Sequence, residues 1–256
     1  MVCVKHVPDG QSDRRLEGGR IVRGEDDALN EMDEYAIEAG VSLVEEYGGE
    51  VVAVTVGPDD AEDAVLTALQ MGADRGLHIT DDDLAGLDAP GTAAVLASAV
   101  RYLSQDQPVD LVLLGMASLD GMTSIVPPAL ATYLELPYLG LASEVERSAD
   151  TLRIRRAVDG WEEVLSAPLP AVVSVTDQVN EPRYPSFKAL KAARSKPVDQ
   201  IDWSELVEFS PVGPVLHEHA SVTGARPSQR TGPQEIIEDT GDAGVRLAEY
   251  LKTKLS

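Results

Sequence analysis

The stretch VDLVLLGMASLDGMTSIVPP, Val109–Pro128, joins an apolar run to a loop of small residues that carries Ser118, Asp120, Thr123 and Ser124, and then to two prolines. Those residue types in that order suit the capture of a phosphate. Val109–Leu114 is apolar except at Asp110, as in a parallel strand covered on both faces. Gly115, Ala117 and Gly121 leave the backbone open to close approach by a ligand. Pro127 and Pro128 fit only the first turn of a helix, whose free amides and positive dipole end attract an anion. The hydroxyls of Ser118, Thr123 and Ser124 add hydrogen-bond partners. Asp120 would be repelled by a phosphate, so it is expected to accept hydrogen bonds from a ribose or from backbone amides, with helix capping as the competing role. The chemistry implied is nucleotide binding.

Around that loop the chain alternates strand and helix patterns. Val2–Val7 predicts a short buried strand, and RRLEGGRIVR over 14–23 a hairpin around its Gly-Gly pair. Asn30, of N-cap type, precedes a helical pattern in Met32, Ala36, Ile37, Val41 and Val44, with acidic residues at its start and Gly48-Gly49 past its end. Val51–Val56 predicts a strand, Ala61–Met71 a helix stopped by Gly72, Leu77–Thr80 a strand and Gly91–Leu103 a helix. This alternation predicts an α/β fold with a doubly wound, mostly parallel sheet and a ligand beyond the strands' carboxyl ends.

After Leu139 the pattern changes. Glu144–Arg147, Leu152–Val158 and Glu162–Ser166 predict short strands with a turn at Asp159-Gly160, followed by a buried strand at Ala171–Thr176; together they are expected to form an antiparallel extension of the main sheet. Beyond Pro182 a basic segment with Lys188, Lys191, Arg194 and Lys196 leads into a proline- and glycine-punctuated stretch, Ser210–Pro233, expected to be an extended C-terminal arm lying on a partner. Ala243–Leu255 places Leu247, Leu251 and Leu255 on one helical face that needs cover. The expected organisation is a nucleotide-binding α/β domain over 1–182, a partner-docking loop and helix over 183–197, and an arm and helix packing on a partner over 198–256.

Composition narrows the classes further. A chain of 256 residues, 43% hydrophobic, can bury a sizeable core, and its single cysteine excludes a disulfide framework. No leader-like or membrane-spanning run is present, so a cytoplasmic protein without direct membrane insertion is expected. Acidic residues outnumber basic ones 44 to 21, a net charge of −23 that repels nucleic acid and anionic membrane alike and resembles the acidic, halophile-like surface suited to a salt-rich cytoplasm. VCVKHVPDGQ stands where a GxGxxG dinucleotide loop would follow the first strand, and the Walker lysine loop and the GxSxG elbow are missing. Cys3, inside a predicted strand, has the setting of a small apolar residue. His217 and His219 are too few to hold a metal by themselves, and no metal is expected.

Several segments in combination carry a family resemblance: VKHVPD, LNEMDEYAIEAGV, VVAVTVGP, TALQMGADRGLHI, VDLVLLG with its loop, and NEPRYPSFK. The chain resembles the β subunit of electron transfer flavoprotein over nearly its whole length. IRRAVDGWEEVLSAPLPAVVSVTD keeps the family's order of Arg156, Asp159, Gly160, Glu163, Pro170 and a final strand, with Trp161 where a small or acidic residue is usual. The resemblance implies an adenine nucleotide α-hydrolase-like fold, AMP in this chain, and a heterodimer with an α subunit that holds most of a shared FAD. It further implies electron transport from acyl-CoA dehydrogenases and related donors, as in fatty acid β-oxidation, to a membrane quinone oxidoreductase. This subunit would be an electron carrier without catalytic acid or base.

By resemblance the nucleotide contacts fall on Cys3, Asn30, Glu31, Met32, Asp33 and Val56, and on Gly115, Met116, Ala117, Ser118, Leu119, Asp120, Gly121, Met122, Thr123, Ser124, Ile125 and Val126. Many family members have a denser acidic run followed by Asn-Gln-Thr where this chain reads SLDGMTSIV. Arg183–Lys191 resembles the family's docking loop, with Phe187 in the place of the inserted apolar side chain, beside Arg183, Tyr184 and Lys188. Within the family, a second FAD in place of AMP, with electron bifurcation, is the alternative, since the Asp120-Gly121 pair occurs in such loops too. From another class, a stand-alone adenine-nucleotide module for stress or signalling would have little use for a long arm and an uncovered helix face.

Overall fold

A computed structural model describes the chain except residues 13, 14, 18, 19, 218, 227–235, 237 and 256. Two compact units result, Met1–Gly224 and Ala225–Ser256. The first begins with strands β1 (Val2–Cys3), β2 (His6–Pro8), β3 (Leu16–Glu17), β4 (Arg20–Ile21) and β5 (Asp27–Leu29). Helix α1 (Glu31–Tyr47), strand β6 (Val52–Val56), helix α2 (Glu62–Met71), strand β7 (Arg75–Ile79), helix α3 (Ala89–Leu103), strand β8 (Leu111–Gly115) and helix α4 (Val126–Leu134) follow. Next come β9 (Tyr138–Ala142), β10 (Glu144–Ser148), β11 (Thr151–Val158), β12 (Trp161–Pro168), β13 (Ala171–Val175), α5 (Phe187–Ala193), β14 (Val198–Ile201) and α6 (Trp203–Leu206). The second unit contains α7 (Ala243–Leu255), on which Leu247 and Leu251 are exposed; the side chain of Leu255 lies outside the described residues.

The main sheet has seven strands in the order β14-β7-β6-β1-β8-β13-β9, and every pairing in it is parallel. Continuous apolar runs such as VAVTV in β6, LVLLG in β8 and AVVSV in β13 suit strands covered on both faces. Successive side chains go to opposite sides. Val2, Ala53 and Val173 join Ile37 of α1 and Leu69 of α2 in one core, while Cys3, Val54 and Val172 join Leu96 of α3 and Leu130 of α4 in the other. From β1 the chain winds out through β6 and β7 on one side and through β8 and β13 on the other. The winding direction therefore reverses between β1 and β8, where doubly wound sheets leave a crevice at their carboxyl ends.

Several elements differ from expectation. The strand predicted over Val2–Val7 is two: β1 stays in the main sheet, whereas β2 pairs antiparallel with β5 in a separate ribbon. The antiparallel strands do not extend the main sheet but form their own, β10-β11-β12. A left-handed residue at Leu141 (φ 61°) and a register shift between Val173 and Val175 turn the chain out of the parallel ladder. β11 then buries Leu152 and Ile154 on one face, while Arg153 and Arg155 on the other face pair with Glu146 and Glu144 of β10, the alternation of a half-covered sheet. Val198–Ile201, taken from sequence as part of the arm, is the edge strand β14, with polar Asp199 and Gln200 hiding its strand character. The expected hairpin forms by pairing Leu16 with Ile21, although Arg14 and its Gly18-Gly19 turn lie outside the described residues.

One glycine fixes the seating of α2 on the sheet. A Cβ on Gly76 would stand 2.2 Å from Val65 Cγ1 and 3.3 Å from Val198 Cγ2, so Gly76→Ala must push α2 off β7. Urea unfolding should show a loss of about 1–3 kcal/mol for this variant, whereas Gly224→Ala, with nothing within 4 Å of its Cβ, should stay within about 0.5 kcal/mol of the parent.

Candidate nucleotide site at the switch point

The carboxyl ends of three adjacent strands, β6, β1 and β8, bring Val56, Cys3 and Gly115 to one edge of the sheet. The first turn of α1 closes in on that edge. Asp33 accepts a 2.9 Å hydrogen bond from the Lys5 amide, just past β1, and another from the amide of Gly115. A Cβ at Gly115 would lie 2.6 Å from Asp33 Oδ1 and 2.7 Å from the Met32 carbonyl. This glycine is thus required by the chain's own helix, a constraint the sequence reading did not foresee. Cys3 is buried and desolvation pushes its thiol up to about 12, consistent with packing.

Asn30 precedes α1 without capping it through its side chain. Its amide faces the loop after β8 instead: Nδ2 donates to the Ala117 carbonyl at 3.0 Å and Oδ1 accepts from the Leu119 amide at 3.0 Å. With 1% of its surface exposed, this two-point contact is sealed from water. Glu31 is exposed and Met32 half-buried beside it. In the loop, Met116, Ser118 and Leu119 are half-buried, Ala117 is buried, and Gly121, Met122, Thr123, Ser124 and Ile125 face solvent.

The anion-binding capacity differs in detail from that expected. Pro127 and Pro128 do occupy the first turn of α4, but prolines bring no N–H, so the helix start itself is poor in donors. The loop supplies them. Met122 and Ser124 have left-handed backbone, φ 50° and 53°, a local geometry that turns nearby amides toward a common side. The amides of Gly121 and Met122 are taken by the Ser118 carbonyl, whereas those of Thr123, Ser124, Ile125 and Val126 meet no acceptor among the described residues. The hydroxyls of Ser118, Thr123 and Ser124 are likewise without a partner there.

Asp120 bonds neither to backbone amides nor as a cap. Its carboxylate binds Lys5 Nζ at 2.9 and 3.1 Å and also pairs with Arg23. Burial alone would raise its pKa; the Lys5 charge and hydrogen bond, with those of Arg23, outweigh that and hold the carboxyl well below the usual carboxylate range. Neither cation stood out in the sequence. Lys5 lies two residues past β1 in VKHVPD, a position that could have drawn notice, but Arg23 is 97 residues from Asp120 and only folding brings them together. Sequence spacing also gave no sign that His6, Asp27 and Asp60 place ligand atoms within 4.8 Å of one another. His217 and His219 do not combine: the His219 amide and ring lie against Asp88, which caps α3.

A profile described as the electron transfer flavoprotein domain matches residues 19–206. The chain is 35% identical over 260 residues to the electron transfer flavoprotein subunit beta of Mycobacterium leprae (strain TN), with 98% of this chain and 96% of that one covered. It is 34% identical over 206 residues to the protein of the same description in Bacillus subtilis (strain 168), covering 80% and 79%. It is also 34% identical over 267 residues to the protein FixA of Azorhizobium caulinodans, covering 98% and 93%. The chain belongs to the electron transfer flavoprotein family.

For a member of that family, the segment expected to dock a partner divides in two. Tyr184 is 97% and Phe187 84% exposed, and Lys188 is exposed beside them. Arg183 is committed inward: its guanidinium binds Glu38 at 2.7 and 2.9 Å and Glu45 at 2.7 and 2.9 Å, both on α1. These bonds raise the Arg183 pKa and lower those of Glu38 and Glu45. Arg183 anchors the segment, and Ser186 caps α5 through the Ala189 amide, which leaves Phe187 presented at the helix start.

Burial sets the titration of Asp33. Desolvation lifts its carboxyl to about 7, against hydrogen bonds from Asn30, Lys5 and Gly115 that pull it down. Because the folded pKa lies above the unfolded one, the native state keeps a proton that the unfolded chain releases, so this group's contribution to stability is full below about pH 4 and declines until about pH 7. Urea unfolding from pH 4 to 8 should show that decline in the parent chain and a flatter profile in Asp33→Asn.

Proposed function

We infer that this chain is the β subunit of an electron transfer flavoprotein and that its switch-point site holds AMP. In this assignment it pairs with an α subunit that binds most of a shared FAD. The heterodimer carries electrons from acyl-CoA dehydrogenases and related donors to a membrane quinone oxidoreductase, in the cytoplasm. The observation that carries the nucleotide assignment is the run of four amides, Thr123 to Val126, beside three hydroxyls, all without a partner among the described residues, in the loop at the carboxyl end of β8. Donors without acceptors at an exposed loop suit the oxygens of a phosphate. Buried Asn30 and Asp33 hold the loop and strand ends in place for it, and the contact set is Cys3, Asn30 to Asp33, Val56 and Gly115 to Val126. FAD, when bound, supplies the redox chemistry; no residue of this chain has to gain or lose a proton for that.

The exposed Phe187, on a segment pinned by Arg183, supports docking of a donor dehydrogenase, since a fixed aromatic can enter a partner's pocket at low entropic cost. Of the segment over 198–256, the part beyond β14 and α6 is proposed to contribute to packing on the α subunit. No helix among the described residues is long and apolar enough to cross a membrane.

Two experiments test this function. Copurification with the α subunit, followed by a flavin spectrum and nucleotide extraction, should yield one FAD and one AMP for each heterodimer. Two flavins without AMP would instead identify the bifurcating alternative, and a stable monomer lacking a flavoprotein partner would favour the stand-alone module. Phe187→Ala should slow reduction of the flavin by a donor dehydrogenase about tenfold or more while leaving the two-subunit complex intact; unchanged kinetics would place the docking surface elsewhere.

A further inference from the structure

We propose that Lys5 and Arg23 are phosphate ligands of the nucleotide site, held in place by Asp120 beneath them, a role that rests on the nucleotide assignment above. The three groups are layered. The Asp120 side chain is 4% exposed, whereas those of Lys5 and Arg23 are 43% and 39% exposed. An anion arriving from solvent therefore meets the two cations and not the carboxylate behind them. The cluster carries one surplus positive charge in a chain whose acidic residues outnumber basic ones 44 to 21, and Asp120 belongs to the same loop as the four unpartnered amides.

Donor capacity remains after Asp120 is satisfied. Lys5 has three ammonium N–H groups directed from one Nζ, and Asp120 takes its bonds from one side. Arg23 has five N–H groups, of which the structure uses Nη2 on Asp120 and Nη1 in a long 3.4 Å contact to the His6 carbonyl. Asp120 is thus a positioning residue: it removes the rotamer freedom that two long side chains would otherwise lose on binding. Uncharged nucleosides gain nothing from this arrangement, so its effect is discrimination of phosphorylated from unphosphorylated adenosine.

The test compares two ligands on one protein. Full-length chain, freed of resident nucleotide by charcoal, is titrated calorimetrically with AMP and with adenosine, for the parent, Lys5→Met, Arg23→Met and the double variant. Each single substitution should weaken AMP about tenfold and leave adenosine unchanged, the double variant should come close to losing the preference for AMP, and Lys5→Arg should keep most of it. Rising salt should erode the preference in the parent and not in the double variant. A double variant with the parent's ratio of AMP to adenosine affinity overturns the proposal while leaving nucleotide binding intact. Equal loss of both ligands also overturns it, by showing that the cations act only as a structural clamp. A parent chain that binds neither ligand refutes the nucleotide assignment itself.

Discussion

The architecture of the site depends on one close contact between the first turn of α1 and the carboxyl ends of β1 and β8. Two strands that diverge in winding direction leave a gap, and this chain fills the base of that gap with its own polar groups. Asp33 ties the amides beyond β1 and at the end of β8, Asn30 ties the loop after β8, and Gly115 lets the helix backbone come within contact distance. Because Asn30 and Asp33 are buried, loss of a partner would leave a polar group without water to replace it, which is costly. The loop conformation is consequently held from below, and its outer amides meet no acceptor among the described residues.

Charge is distributed with the same economy of positions. Acidic residues outnumber basic ones 44 to 21, and the few cations that matter are directed by carboxylates: Lys5 and Arg23 by the buried side chain of Asp120, Arg183 by largely buried Glu38 and by exposed Glu45. In the first case the cations end up facing outward above the carboxylate. In the second the cation is consumed internally and the neighbouring aromatic, Phe187, is what reaches solvent. The same type of ion pair, with the carboxylate as the more buried partner in both Lys5–Asp120 and Arg183–Glu38, thus serves a proposed ligand site in one place and the presentation of an apolar side chain in another, according to how many donors the cation keeps free.

The sheet and its helices were legible from sequence because parallel strands covered on both faces require unbroken apolar runs, and helices on such a sheet require a 3.6-residue stripe. VAVTV, LVLLG and AVVSV satisfy the first, and the pattern from Met32 to Val44 the second. Where burial is partial the signal weakens. β14, a polar edge strand, looked like part of an arm, and the short β9 carried too little pattern to be noticed. The β10-β11-β12 strands were recognisable by alternation, but alternation cannot say whether they join the main sheet or stand apart, since that is decided by the turn at Leu141.

At the site, the sequence by itself determined the loop: small residues, a strand before it and paired prolines after it, a local signature because adjacent residues create it. Tertiary structure alone decided which groups in that loop stay free. The Ser118 carbonyl consumed two amides, and Asp120 was claimed by cations from distant segments. Hydrogen-bond acceptors and counter-charges are assigned by proximity in space, and a linear sequence carries no distances between residues as far apart as Arg23 and Asp120.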